Sequence, residues 1–138
     1  MSLGTDGPAS NNSLDMFETM KIAALLQKLI YQNPKVMPAY EVLKMATING
    51  AKALELGENV GSLEVGKKAD IILVDLSKPH LKPLHDIYAS IVYSARGSDV
   101  DTVIVDGKIL MENRQVKTLD EQAVMEKAEK AAFDLLSR

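Results

Sequence analysis

An α+β fold is predicted by three successive patterns. Helical periodicity runs to about residue 57, short β-branched runs with a hairpin signal fill 58–117, and one amphipathic helix occupies 118–138. In the first block apolar residues from Leu14 to Tyr31 lie almost all round the helix. Such a helix is expected to be buried on most faces. Asn12 or Ser13 is the expected cap, with Asp15 and Glu18 favourable to the dipole of the first turns. Asn33-Pro34 ends it, Pro38 opens the next helix, and Thr47 to Gly50 marks a break with Asn49 as a cap. A short helix then runs from Ala51 to Leu56, stopped by Gly57.

The second block reads as strands. Gly61 to Lys67 alternates between glycines, and Ala69 to Asp75 is a short β-branched run of the buried kind. Val103-Ile104-Val105 and Ile109-Leu110-Met111 flank Asp106-Gly107, a strong two-residue hairpin signal. Gln115-Val116 suggests a final short strand, and Ile87 to Ala95 leans to a short helix. In the third block Thr118-Leu119-Asp120-Glu121 has capping-box form. Val124, Ala128, Ala131 and Leu135 then repeat along one face, opposite a solvated row of Lys and Glu.

At 138 residues the chain is one ordinary domain in size, far short of the roughly 250 residues of a complete (β/α)8 barrel. With seven methionines, two phenylalanines and no tryptophan, the core must be packed by aliphatic side chains. The net charge of −3, without a dense Lys/Arg cluster, argues against nucleic acid as a partner. No apolar run approaches the roughly 20 residues that would cross a bilayer. The absence of cysteine excludes a disulfide framework and a thiolate site, and suits a cytoplasmic setting. Nucleophile-elbow, P-loop and dinucleotide fingerprints are all missing.

One segment stands out chemically: Leu3-Gly4-Thr5-Asp6-Gly7-Pro8-Ala9-Ser10-Asn11-Asn12, followed by Leu14-Asp15-Met16-Phe17-Glu18. A carboxylate on a rigid strand end can ligate a divalent ion and accept a proton from its water. On local chemistry alone, a turn at Asp6 explains the same residues. The segment resembles the end of the last catalytic strand in metal-dependent amidohydrolases. The likeness is to the branch of S-adenosylhomocysteine and 5′-methylthioadenosine deaminases and triazine chlorohydrolases. It continues through Met45 to Leu54, Val60 to Ile71, Pro79 to Asp86 and Val92 to Gly97, in the family's order.

What the resemblance implies is specific. The fold would be the helices left from the end of a (β/α)8 barrel, part of a small β-sandwich and a carboxy-terminal helix: an incomplete barrel. Asp6 would be both a metal ligand and the proton shuttle. The parent enzyme would use zinc or a similar divalent ion to deaminate a 6-aminopurine such as S-adenosylhomocysteine, methylthioadenosine or adenosine. The family's His-x-His pair and later single histidines are absent, and the only two histidines, His80 and His85, lie five apart in a proline-bracketed loop. Both suit structural or surface roles. One carboxylate cannot replace the roughly three protein ligands of a catalytic metal site, so this chain alone is expected to be inactive and to hold no metal tightly. The apolar first helix and the open sandwich edge predict self-association, as a homodimer or larger, with exchange of elements one route. The rival expectation is a short non-catalytic assembly module in which Asp6 is a relic.

Overall fold

The computed structural model describes residues 1–137. Its elements are α1 (Pro8–Asn11), α2 (Met16–Ile30), α3 (Ala39–Ala46), α4 (Ile48–Ala53), β1 (Ile71–Val74), α5 (Ile87–Ala89), β2 (Val100–Val105), β3 (Lys108–Glu112), β4 (Gln115–Val116) and α6 (Glu121–Leu136). Single 3-10 turns occupy Pro79–Leu81 and Gly97–Asp99, and a π-helical turn spans Ser90–Ser94 directly after α5.

The strands form one antiparallel sheet in the order β1-β2-β3-β4. Ile71 lies opposite Ile104, and Val105 opposite Lys108. Asp106 and Gly107 both have positive φ, +50° and +76°, as the tight turn between two right-twisted strands requires. The Asp70 carboxylate accepts the Asp106 amide at 2.7 Å and Lys68 pairs with Asp106 at 3.2 Å, tying the hairpin tip to the start of β1.

The core joins the helices to the segment between β1 and β2. Phe17, Met20 and Ala24 of α2 meet Val42 of α3, Leu81, Val92, Ala95 and Val100. Only one face of α2 is used. Ile22, Leu25, Leu26, Leu29 and Ile30 remain 47–72% exposed, so burial on most faces is not reached within this chain. A single helix partner and one short loop segment cannot cover a cylinder about 10 Å across. On α6 no described residue is buried, so its apolar stripe faces solvent as its charged face does.

Several local expectations change. Asp15, not Asn12 or Ser13, caps α2: its Oδ1 accepts the amides of Phe17 and Glu18 at 2.8 and 3.3 Å. Ser13 has instead accepted the Asp15 amide. Asp120, not Thr118, caps α6, through the Ala123 amide at 3.0 Å. Asn49 lies within α4, which starts earlier than expected, at Ile48, and ends at Ala53 rather than Leu56. Gly61 to Lys67 forms turns, not a strand. Gly61 and Gly66 take φ near +95°, and a Cβ on Gly61 would sit 2.8 Å from that of Ala51. Lys67 then closes the loop by donating to the Gly57 carbonyl and the Ser62 hydroxyl, both at 2.7 Å. The alternation there reflects glycine-bracketed turns rather than a pleat.

Candidate functional site

The opening segment is built around a short helix that folds it back on itself. The Leu3 amide donates to the Met45 carbonyl at 3.0 Å, fixing the start of the chain to the end of α3. Asp6 then takes φ +60°, a left-handed conformation that aspartate tolerates better than most residues. Its Oδ1 accepts the Gly7 amide at 2.7 Å, which sets the direction of the carboxylate. Oδ2 accepts nothing from the described residues. Pro8 opens α1, where its missing N–H costs nothing, and Asn12 closes it at φ +59°.

Across from Asp6 stands the stretch of α2 from Glu18 to Leu26. The two sides enclose an open cleft of about 400 Å³, with Asp6 and Asn11 on one side and Glu18, Thr19, Ile22 and Leu26 on the other. The carboxylate therefore faces space bounded by protein, with one oxygen tethered and one open. That arrangement suits a ligand to a cation. It does not by itself make a metal site: among the described residues, no three His, Asp or Glu side chains converge as a metal-binding set. Asp6 fits as one donor of such a set and cannot be the whole of it.

The histidines lie elsewhere. His80 borders a second cleft of about 550 Å³, together with Glu18, Lys21, Tyr93 and Arg96. Its Nε2 meets Asp99 Oδ2 at 2.9 Å, and the same oxygen accepts the Arg96 amide at 2.9 Å. Burial of Asp99 opposes its charge, but the His80 contact and the Arg96 amide outweigh it and hold the carboxyl below its ordinary range. His85 is exposed in the adjoining loop. Neither histidine shares a cleft with Asp6.

Three polar residues shape this region through contacts that no local sequence signal announces. Asp15 accepts the Gly97 amide on Oδ2 at 2.8 Å, joining the start of α2 to a turn 82 residues later. A Cβ on Gly97 would lie 3.0 Å from that oxygen, so the approach depends on glycine there. Asp99 anchors His80 from 19 residues away. Asn11 donates its Nδ2 to the Thr5 carbonyl at 2.8 Å, across the Asp6 loop. The sequence offers Asp15 as a charge near a helix start and Asn11 as part of the opening motif, without these contacts, and Asp99 not at all.

The comparisons agree with one another. The Amidohydrolase family model matches residues 1–110. The whole chain is 54% identical to a 5-methylthioadenosine/S-adenosylhomocysteine deaminase of Thermoanaerobacter pseudethanolicus, covering 32% of that protein. It is 60% identical, again over its whole length and 32% of the relative, to a 5′-deoxyadenosine deaminase of Methanosarcina mazei. An adenosine deaminase of Xanthomonas campestris, solved with bound zinc, superposes with a TM-score of 0.96 at 36% identity over 99% of this chain and 31% of that one. A zinc-complexed atrazine chlorohydrolase of Arthrobacter aurescens gives 0.82 at 27% identity, over 90% of this chain and 28% of its own. The chain thus spans about a third of the length of the curated relatives it matches, and those relatives are deaminases of purine nucleosides. With the family model covering most of its length and the helices and sheet in the arrangement of a solved member, this chain belongs to the amidohydrolase family.

Proposed function

We propose that the chain is the carboxy-terminal portion of a metal-dependent amidohydrolase that hydrolytically deaminates a 6-aminopurine nucleoside. The observation that carries this reading is identity of 54–60% along the entire chain with deaminases of that substrate class. In this reading, residues 1–57 are the end of the last barrel strand and the helices after it. Residues 58–117 are the carboxy-terminal share of a composite sandwich, and 118–138 a closing helix. The parent would work in the cytoplasm.

Asp6 is the residue through which this chain enters the chemistry. With Oδ1 tethered to the Gly7 amide, Oδ2 has no hydrogen-bond donor among the described residues, and Asp6 lines the cleft, so that oxygen is the one we propose to ligate a divalent ion, zinc or similar, beside histidines supplied from outside this chain. When bound, such an ion lowers the pKa of a coordinated water toward neutrality. With such an ion held, the Asp6 carboxylate would be the group that takes up a proton from the attacking water and releases it to the departing ammonia.

The test is Asp6→Asn in the full-length parent, assayed on adenosine-type substrates. Turnover should fall at least about 10²–10⁴-fold, the range for a lost acid/base group. Wild-type turnover would reduce Asp6 to a turn residue. Reading the gene upstream of Gly4 separates this function from the assembly module. An in-frame barrel with a His-x-His pair supports the enzyme, and a native start codon near Gly4 supports the module.

Taken alone, the chain is proposed to be inactive. Calorimetric titration of the dialysed 138-residue chain with Zn²⁺ should show no tight one-to-one site. A submicromolar site abolished by Asp6→Asn would contradict that. The outer face of α2 and the edge strand β1 are proposed to pair with a second copy when nothing else covers them. Light scattering at micromolar concentration should then give a mass above the 15.1 kDa of the monomer, and a stable monomer would refute it.

A further inference from the structure

We infer that Asn11 is a positioning residue for Asp6, acting through the peptide that precedes it; this rests on the role proposed for Asp6. Two dihedral choices aim the Asp6 carboxylate. The side-chain torsion is held by the Gly7 amide on Oδ1 at 2.7 Å. The backbone is held from the other side, because Asn11 Nδ2 donates to the Thr5 carbonyl at 2.8 Å. That carbonyl belongs to the Thr5–Asp6 peptide, whose plane defines the φ of Asp6, here +60°. A residue other than glycine in this region relaxes toward negative φ unless its neighbours oppose the change. Rotation of the Thr5–Asp6 peptide would break the Asn11 bond and change the backbone from which the Asp6 carboxylate projects.

Asn11 is well placed for the task. It sits in the last turn of α1, where its own amide donates to the Gly7 carbonyl at 3.0 Å, so its side chain is carried by the loop it braces. Its Nδ2 also lies 3.4 Å from the Ser13 carbonyl, a long contact toward the start of α2. Ser13 Oγ in turn accepts the Asp15 amide at 3.1 Å, and Asp15 holds Gly97. A polar chain therefore connects the Asp6 loop to the capped end of α2 and to the turn before β2. The Asn11 side chain is exposed, so its loss removes little packing.

The experiment uses the full-length zinc enzyme carrying this segment, with Asn11→Ala, and with Asn11→Leu, which keeps a similar shape without an N–H. Zinc affinity is read by competition with a chromophoric chelator, kcat and KM by ammonia release, and folding by the melting temperature. Both variants should lose about 10–100-fold in zinc affinity and in kcat, the effect expected of a residue that orients a ligand. KM and the melting temperature should stay near wild type. Wild-type zinc affinity and kcat in both variants, while Asp6→Asn is inactive, overturns the positioning role alone. A drop in melting temperature that accounts for the losses overturns it in favour of a purely structural bond. An Asp6→Asn enzyme that keeps zinc and turnover overturns the parent reading and this inference together.

Discussion

Asp6 and Asp99 are aspartates in short turns next to glycine-containing tetrapeptides, and their surroundings part them. Asp99 is 3% exposed, and one of its oxygens serves His80 and the Arg96 amide together. Asp6 is exposed, with one oxygen tethered and the other open to a cleft. A buried carboxylate persists only when its partners are supplied by the fold. An exposed one held in a left-handed backbone, with spare valence, gains little for the fold from its charge. The difference separates a carboxylate that closes the structure from one that is free to act on something else.

Substitution should cross-dissociate the two. The largest expected effect is the loss of turnover in Asp6→Asn described above, with the denaturation midpoint unchanged. A comparable loss of stability in that variant would erase the distinction. Asp99→Ala should do the reverse. It leaves the Arg96 amide and His80 without their acceptor, a cost of about 1–3 kcal/mol that urea denaturation would read. A neutral result would mean that water replaces the carboxylate freely and that the turn is not closed by it. The smallest effect is its pH dependence. The Asp99 carboxyl is lowered from the ordinary 3.8, so its contribution is complete above that value. It is lost only as the pH falls through the lower folded value. The stability gap between wild type and Asp99→Ala should therefore be constant from neutral pH down to about pH 4 and narrow below it.

Where the chain's structure was legible, the cause was local. The Asp106-Gly107 hairpin follows from two residues able to take positive φ between β-branched runs. The Ile71–Val74 strand and the helix ending before Asn33-Pro34 follow from composition and from proline. The Gly61 to Lys67 segment misled because glycine-bracketed turns imitate alternation over a few residues. The helix caps moved by two or three positions because several Ser, Thr, Asp and Asn residues compete for the same amides. Asp6 was legible as a candidate from its motif. Its left-handed backbone, its open oxygen and its brace by Asn11 were not.

By itself the sequence determined the main helices, the Ile71–Val74 strand, the tight Asp106-Gly107 hairpin and the closing helix, since each depends on residues near one another along the chain. Only the tertiary structure decided that Asp15 reaches Gly97 and that Asp99 takes His80. It also decided that one face of α2 is buried while the other stays open. Those outcomes depend on which distant segments arrive at hydrogen-bond distance, and directional bonds of about 3 Å cannot be inferred from neighbours along the chain. The same holds for the cleft at Asp6, whose far wall is a helix that begins ten residues later and is aimed by its cap.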